Sequence, residues 1–142
     1  MHELMVLVVD DEPSLRQLLS EVLVADLGVR VAAAADGCEA LELARAEPPD
    51  LVLLDLRLPG VDGIDVLRQL RTDPATRSVP VIVVTAADAG HVEHAVAAGA
   101  DDWIAKPFDL DDLCSRVALW AWRGARRARG QPVAPVRAFV PV

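Results

Sequence analysis

Five short apolar runs, each followed by a segment with helical periodicity, constrain the fold of this chain more than any other feature. The runs are LMVLVV (4–9), VRVAAAA (29–35), LVLLD (51–55), VIVVTA (81–86) and DWIA (102–105). Most are continuous rather than alternating and contain β-branched residues, which is typical of strands buried on both faces. Strands that alternate with helices predict a parallel sheet with helices on both faces. The sequence therefore predicts an α/β fold with five strands.

Segments with helical patterning separate these runs. Apolar residues recur at spacings of three and four, and Gly28 and the paired prolines 48–49 are stop signals. The predicted helices cover residues 13–28, 36–49, 64–72, 90–100 and 109 to about 128.

The end of the chain differs in composition from the rest. Residues 130–142, GQPVAPVRAFVPV, contain three prolines and no clear period. Such a segment is typical of a linker or a frayed end. We therefore predict one domain over residues 1–123, followed by a basic helix end and a proline-rich tail or linker over residues 124–142.

Charge and hydropathy exclude some classes of function. All 22 acidic residues lie within residues 1–119, whereas residues 120–142 carry five arginines and no acid. An acidic domain disfavours nonspecific binding to nucleic acid. No apolar run is long enough to span a bilayer, and the N-terminal segment lacks the features of a secretion signal. We expect a cytoplasmic protein without a membrane partner, in which Cys38 and Cys114 are buried, reduced thiols.

Polar residues stand at the ends of four predicted strands. The first strand ends in Asp10 and Asp11, the third in Asp55 and the fourth in Thr85, and the fifth runs into Lys106, the only lysine of the chain. Ligands of open parallel sheets bind beyond the carboxyl ends of the strands. Any one of these residues has a simpler role as a helix cap, but four strand ends converging on one edge indicate a site.

The residue types at this edge favour phosphoryl chemistry. Three carboxylates in one cleft repel one another unless a cation neutralises them, and oxygen ligands suit Mg²⁺. An ammonium is a compact charge that can pair with a carboxylate and later with a phosphoryl oxygen. A carboxylate nucleophile, Mg²⁺, a hydroxyl and an ammonium together predict phosphoryl transfer to an aspartate.

Four motifs, taken together, resemble the receiver domains of two-component response regulators. They are VLVVDDEPSLR, LVLLDLRLPGVDG, VIVVTA and GADDWIAKPF, in this order and at the family's spacing, and the resemblance extends from residue 4 to about residue 122. It implies a flavodoxin-like, doubly wound sheet with strand order 2-1-3-4-5. It also implies a signalling domain rather than an enzyme, which accepts a phosphoryl group from a sensor histidine kinase and promotes that transfer.

The resemblance also implies roles in binding the metal. Asp55 is the implied phosphoacceptor. Asp11, Asp55 and the backbone carbonyl of Arg57 would ligate Mg²⁺, with Asp10 acting largely through water.

Phosphoryl binding and switching are implied for a second group of residues. Thr85 and Lys106 would bind the phosphoryl oxygens, and the bond between Lys106 and Pro107 is expected to be cis. When Thr85 moves toward the phosphoryl group, the aromatic residue three before the lysine, here Trp103, is expected to rotate into the space behind it. Tyr or Phe is usual in the family, so Trp103 is a departure.

The implied lifetime of the phosphorylated state depends on two further departures. Arg57 lies two residues after Asp55, and Ala87 lies two residues after Thr85. Ala87 cannot orient an attacking water, whereas Arg57 could cover the site. We therefore expect slow self-dephosphorylation.

The GADD stretch and the last helix are most similar to receivers of winged-helix transcription factors. Those receivers pair through the fourth helix, fifth strand and fifth helix. Asp101 with Arg116 and Asp102 with Arg123 match the ion pairs across that dimer, so the resemblance implies a homodimer. An output domain or a DNA contact would require a segment absent from this chain.

Two observations bear on this dimer face. A third ion pair is incomplete, because Asp112 is present but Val92 stands where a base is expected. Leu119, Trp120 and Trp122 are expected to expose apolar surface, which favours a dimer or a docking face.

Two other functions are left open by the residues. A phosphatase of the haloacid dehalogenase type needs an aspartate two residues after its nucleophile. At that position, Glu12 follows Asp10 and Arg57 follows Asp55, and neither fits the requirement well. A receiver-like module that binds a partner without phosphorylation is the other alternative.

Overall fold

The structure, a computed structural model, describes residues 3–134. Residues 1–2 and residues 135–142, the latter part of the predicted tail, lie outside the described residues. The strands are β1 (Met5–Val9), β2 (Arg30–Ala34), β3 (Leu51–Leu54), β4 (Val81–Thr85) and β5 (Asp102–Ala105). The helices are α1 (Pro13–Leu27), α2 (Gly37–Ala46), α3 (Gly63–Thr72), α4 (Ala89–Ala97) and α5 (Leu110–Ala128).

The strands form one parallel sheet in the order β2-β1-β3-β4-β5. Val6 of β1 is aligned with Val31 of β2 on one side and with Leu51 of β3 on the other. The predicted α/β class and strand order are confirmed.

Two apolar clusters, one on each face of the sheet, form the core. One contains Leu7, Val9, Val52, Leu54, Val81 and Val83 of the strands, with residues of α2, α3 and α4. The other contains Val6, Val8, Leu51, Leu53, Ile82 and Val84, with residues of α1 and α5. Successive strand residues point to opposite faces and both faces are covered. This arrangement explains why the sequences of β1, β3 and β4 are apolar at nearly every position.

Aspartates begin four of the five helices. Their carboxylates accept a hydrogen bond from a backbone N–H of the first helical turn, at Asp36, Asp62, Asp88 and Asp109. Helix α1 has Pro13 at its first position and ends at Gly28, whose φ of 65° suits glycine. The caps Asp62 and Asp88 start α3 and α4 at the ends of the loops that follow β3 and β4.

Helix α5 continues through the predicted domain boundary after residue 123. Gly124 and Ala125 are buried. A Cβ on Gly124 would collide with the carbonyl oxygen of Asp50, so the helix packs closely against the segment before β3. The division at residue 123 stays a prediction, but the helix up to Ala128 is continuous with the domain.

Two further sequence expectations concern membranes and thiols. Within residues 3–134, no helix is long and apolar enough to cross a bilayer. The expectation of two buried thiols is wrong for Cys38, which is exposed, whereas Cys114 is partly buried. Cys38 lies in the first turn of α2, on the side that faces solvent. Burial, with the charges of Asp26 and Asp111, raises the pKa of the Cys114 thiol.

Candidate functional site

The carboxyl ends of four neighbouring strands bring the candidate residues together. Asp10 follows β1, Asp55 follows β3, Thr85 ends β4 and Lys106 follows β5. The exposures of Asp10, Asp55 and Thr85 are only 3%, 5% and 2%. Parallel strands end at the same edge of the sheet, and the structure places these side chains in contact there.

The ammonium of Lys106 bridges two of the carboxylates. Its Nζ donates hydrogen bonds to Oδ2 of Asp10 over 2.7 Å and to Oδ2 of Asp55 over 2.9 Å. The backbone N–H of Lys106 donates to the carbonyl oxygen of Thr85 over 3.0 Å, and the Lys106-Pro107 bond is cis. A compact ammonium can serve two carboxylates at once, whereas a guanidinium favours one planar bidentate partner.

Burial and ion pairing act in opposite directions on the pKa of Lys106. Burial lowers it, but hydrogen bonds from Nζ to Asp10 and Asp55 and the charges of these carboxylates raise it. The result is a pKa above the ordinary value of 10.5. Lys106 therefore carries its positive charge throughout the neutral range.

Both oxygens of Asp55 are held in place. Oδ1 accepts a hydrogen bond from Oγ1 of Thr85 over 2.9 Å and one from the backbone N–H of Arg57 over 3.1 Å, while Oδ2 accepts from Lys106. Oγ1 of Thr85 in turn accepts from the backbone N–H of Ala87 over 3.1 Å. The carboxylate is therefore fixed in orientation and connected to the loop after β4.

Local contacts also fix Asp10. Its Oδ1 accepts a hydrogen bond from the backbone N–H of Glu12 over 2.9 Å. Its carbonyl oxygen accepts from Nη1 of Arg16 over 2.7 Å. The first turn of α1 thus holds Asp10 with one carboxylate oxygen toward Lys106.

Asp10, Asp11 and Asp55 form an acidic cluster. One carboxylate oxygen from each lies within 4.8 Å of the others, and Asp11 is exposed whereas the other two are buried. Three carboxylates against one ammonium leave an excess of negative charge, which a divalent cation would offset. Carboxylate oxygens are the ligands that Mg²⁺ prefers, so these residues fit that ion. The backbone N–H of Arg57 contacts Asp55, and the role of its carbonyl as a ligand stays a prediction.

Sequence reasoning gave no role to Gly63, which packs directly behind Asp55. A Cβ at this position would lie 2.5 Å from the carbonyl oxygen of Asp55 and 2.5 Å from Cα of Leu56. Its backbone N–H donates to the carbonyl oxygen of Leu56 over 3.1 Å. The turn LPGVDG was the available signal, because its last glycine is where the chain returns to the strand that carries Asp55.

The loops after β3 and β4 meet beside the cleft. Asp88 accepts a hydrogen bond from the backbone N–H of His91 over 2.9 Å. This bond, together with the charges of His91 and Arg57, lowers the pKa of the Asp88 carboxyl. Nε2 of His91 lies 4.0 Å from Oδ2 of Asp62. Asp62 of the loop after β3 therefore faces His91 of the first turn of α4 at the rim.

Trp103 is partly buried on β5 and packs against the core. Its ring lines a groove of about 560 Å³ together with Ala87, Ala89, Val92, Glu93, Val96 and Ala97. Ala87 belongs to the loop that Thr85 holds, so the groove connects this loop to Trp103. The role of Trp103 as a switch stays a prediction.

Acids expected at a dimer face make ion pairs within the chain. Asp101 Oδ2 lies 2.9 Å from Nη2 of Arg71, an interaction that sequence reasoning missed. Asp102 Oδ1 lies 3.2 Å from Nη1 of Arg116, whose Nε lies 3.2 Å from Oδ1 of Asp112. The structure therefore brings Arg116 to Asp102 and Asp112. Pairing of these residues between two copies stays a prediction.

Trp120 and Arg123 are buried rather than exposed. Trp120 is 6% exposed, and its Nε1 donates to Oδ2 of Asp102 over 3.2 Å. The expectation of exposed apolar surface is wrong for Trp120 and holds for Leu119 and Trp122. Arg123 is 5% exposed, and its guanidinium carbon lies 5.4 Å from the centre of the Trp120 ring. Burial lowers the pKa of Arg123.

Comparisons with known sequences agree with this geometry. The family model described as the response regulator receiver domain matches residues 6–118. The DNA-binding response regulator MtrA of Mycolicibacterium smegmatis is 47% identical over 113 residues, which cover 79% of this chain and 48% of that protein. The DNA-binding dual master transcriptional regulator RpaA of Synechocystis is 38% identical over 115 residues, 79% of this chain and 46% of that protein. The chain spans about half the length of the curated relatives it matches.

Solved structures are similar over most of the chain. The receiver domain of the Francisella response regulator 1452 shares 32% identity at a TM-score of 0.77, covering 85% of this chain and 98% of that one. The receiver domain of the sensor histidine kinase PA1611 from Pseudomonas aeruginosa shares 35% identity at a TM-score of 0.75, covering 85% and 99%. That structure holds a magnesium ion in its active-site cleft.

Proposed function

This chain belongs to the response regulator receiver family, and from that premise we propose that it accepts a phosphoryl group from a sensor histidine kinase on Asp55. The observation that carries the proposal is the position of Lys106, whose Nζ donates to both Asp10 and Asp55 at 2.7 and 2.9 Å. A fixed cation beside a fixed, buried carboxylate is the arrangement that a transferred phosphoryl group requires.

The proposed reaction is an in-line displacement at phosphorus. A carboxylate oxygen of Asp55 forms the new bond to phosphorus as the bond to the donor breaks, and the donor keeps that electron pair. Lys106 and Thr85 then donate to phosphoryl oxygens in place of the carboxylate oxygens they hold now. Bound Mg²⁺ would offset the negative charge of the phosphoryl oxygens, with Asp11, Asp55 and the carbonyl of Arg57 as its proposed ligands and Asp10 acting largely through water.

Signal output is proposed to start at Thr85. Its Oγ1 now donates to Asp55 and accepts from the backbone N–H of Ala87. Turning toward a phosphoryl oxygen breaks the first contact and strains the second, so the loop after β4 shifts. Ala87 and Trp103 line the same groove, which supports passage of this shift to α4, β5 and α5.

The partners proposed for this protein follow from the family. A sensor histidine kinase is the proposed phosphoryl donor, and a cytoplasmic location is proposed with it. The face formed by α4, β5 and α5 is proposed to bind a second copy or another partner in the phosphorylated state. MtrA and RpaA are DNA-binding regulators, so control of transcription is the proposed output.

Phosphorylation by a small donor tests the proposal. The protein is incubated with acetyl phosphate and Mg²⁺, and its intact mass is measured with time. We expect one added phosphate, lost in Asp55→Asn and kept in Asp65→Asn, which makes the same change at an exposed position of α3. Steady release of phosphate from esters would support a phosphatase instead, and the absence of any adduct would support a module that works without phosphorylation.

A further inference from the structure

The first helix begins differently from the other four. Among the helices of residues 3–134, α1 is the one whose N-cap residue, Glu12, accepts no hydrogen bond with its side chain. A side-chain cap normally fixes the start of a helix relative to the loop before it. The loop before α1 carries Asp10 and Asp11, two acids of the cluster, so other contacts must hold these residues to the helix.

Arg16 of α1 supplies such a contact. Its Nη1 donates a hydrogen bond to the carbonyl oxygen of Asp10 over 2.7 Å, which is short because the donor is charged. Long side chains on a helix point toward its N-terminus, so the guanidinium lies beside the loop. The backbone of Arg16 is part of the helix, since its N–H donates to the carbonyl oxygen of Glu12 over 3.1 Å and its carbonyl oxygen accepts from Oγ of Ser20 over 2.7 Å.

The carbonyl that Arg16 contacts belongs to the peptide group between Asp10 and Asp11. This group is planar, so a contact that holds its oxygen also fixes the direction in which the chain continues to Asp11. The backbone N–H of Asp10 donates to the carbonyl oxygen of Ala34 over 3.1 Å. The backbone of Asp10 is therefore held on both sides, by the end of β2 before it and by Arg16 after it.

Asp11 depends on this backbone more than the other two acids of the cluster do. The Asp10 carboxylate is held by Lys106, and the Asp55 carboxylate is held by Lys106 and Thr85. In the part of the chain that the structure describes, no hydrogen bond or ion pair holds the exposed carboxylate of Asp11. Its place in the cluster is therefore set by the peptide group that Arg16 orients.

We propose that Arg16 is a positioning residue of the metal site, which holds the peptide group before Asp11 and so keeps the Asp11 carboxylate where it would ligate Mg²⁺. The inference rests on the metal site of the proposed function and adds to it a residue outside the ligand set. Loss of a group that orients the ligands of a metal typically weakens metal binding by about 10- to 100-fold. Mg²⁺ should therefore bind more weakly without Arg16.

The charge of Arg16 alone predicts the opposite effect. A guanidinium beside the acidic cluster repels a divalent cation, so its removal would strengthen Mg²⁺ binding if charge were all that Arg16 supplied. The two roles are thus distinguished by the direction of the change. A weaker site identifies positioning, whereas a stronger site identifies a purely electrostatic effect.

A Mg²⁺ titration of the full chain, followed by the backbone amide signals of residues 10–12 and 55–57, measures the dissociation constant without any phosphorylation. We expect this constant to rise about tenfold in Arg16→Gln, because glutamine has no charge and is too short to keep the contact with Asp10. Amide signals away from the loop, unchanged from the unaltered protein, show that the variant is folded.

Two control variants should leave the dissociation constant unchanged. Ser20→Ala removes the hydrogen bond to the carbonyl oxygen of Arg16 but leaves the contact between Arg16 and Asp10. Arg68→Gln makes the same change of charge on α3, where the side chain is 63% exposed and its charge is screened by solvent and salt.

Three results would overturn the proposal. An unchanged or lower dissociation constant in Arg16→Gln, with Mg²⁺ binding intact in the unaltered protein, would show that Arg16 does not position Asp11, and the proposed function would stand. An equal rise in Ser20→Ala would assign the effect to α1 as a whole. If the unaltered protein binds no Mg²⁺, the metal site of the proposed function is refuted together with this role.

Discussion

Arg116 and Asp102 form an ion pair inside one chain, with Nη1 3.2 Å from Oδ1 and with side chains only 16% and 10% exposed. Arg116 also donates to the carbonyl oxygen of Trp103 over 3.0 Å, and the Trp120 indole donates to the second oxygen of Asp102 over 3.2 Å. Asp102 therefore connects β5 to α5. To form an ion pair between two copies, the Asp102 carboxylate would have to make contacts in addition to those with Arg116 and Trp120, or give up those contacts.

Replacing Asp102 by Asn should lower the free energy of unfolding by about 1–3 kcal/mol, because Arg116 and the Trp120 indole lose a charged acceptor in a partly buried place. Urea unfolding measures this change. The control is Asp65→Asn, which removes a pair with Arg68 whose side chains are 57% and 63% exposed. Exposed pairs contribute about 0–1 kcal/mol. An equal decrease in the free energy of unfolding in the two variants would mean that the contacts of Asp102 with α5 do not stabilise the fold.

Lys106→Arg should slow phosphorylation of Asp55 by about 100- to 1,000-fold, the range found when one preorganised donor is lost. The ammonium serves Asp10 and Asp55 at 2.7 and 2.9 Å, and a planar guanidinium cannot reproduce both contacts from the same backbone position. The rate of acetyl phosphate labelling is the measurement, with the exposed swap Arg68→Lys as control. An unchanged rate in Lys106→Arg would refute the argument for an ammonium.

The contribution of Lys106 to stability should disappear at high pH. Its pKa is raised in the folded protein above 10.5, so the folded state binds this proton more tightly than the unfolded state. The contribution is complete below the unfolded pKa and is lost as pH rises through the folded one. The stability difference between the unaltered protein and Lys106→Met, measured without divalent ions, should be flat near neutrality and shrink above about pH 10.5. A difference that shrinks instead on acidification from pH 9 to 7 contradicts this assignment.

Gly124→Ala should destabilise the fold by about 1–3 kcal/mol, the usual cost of overpacking. The added methyl group collides with the carbonyl oxygen of Asp50 and lies 2.9 Å from Cδ of Pro80. Gly90→Ala is the control, because a Cβ there meets only Oδ1 of Asp88 at 3.4 Å. Alanine in that helix should stabilise it by up to about 1 kcal/mol. Thermal unfolding of both variants distinguishes a packed α5 from one that is loose after residue 123.

Arg57→Asn should shorten the lifetime of the phosphorylated protein several-fold, equivalent to about 1 kcal/mol in the barrier to hydrolysis. The Arg57 backbone N–H lies 3.1 Å from Oδ1 of Asp55, so the side chain of Arg57 leaves the backbone next to the proposed phosphoacceptor. An asparagine there covers less of the site and can orient water. Loss of the mass adduct after the donor is removed gives the rate. An unchanged decay, equal to that of Arg68→Asn, would show that Arg57 does not protect the site.

Much of the fold and of the candidate site could be predicted because the information is local. Continuous apolar runs such as LVLL at 51–54 define central strands, and aspartates such as Asp36 and Asp109 cap the helices that follow. Parallel topology then requires strand ends to share an edge, which brings Asp55 and Lys106 together without knowledge of any distance.

The tertiary structure decided how charges are partnered and which aromatic rings are buried. The sequence shows Asp101, Asp102, Arg116 and Arg123 as acids and bases of one surface, but the partner of each depends on contacts between elements far apart in the chain. Asp101 is held by Arg71 of α3, thirty positions away, and Trp120 is turned inward by its place on α5.

The sequence by itself determined the order of the strands and helices along the chain and the edge where the chemistry lies, since hydrophobic periodicity is a property of short segments and strands that alternate with helices are parallel. Only the tertiary structure decided the position in which the Lys106 ammonium joins two carboxylates and the close approach of Gly63 and Gly124 to neighbouring backbone. Each of these depends on a distance between atoms that no local pattern encodes.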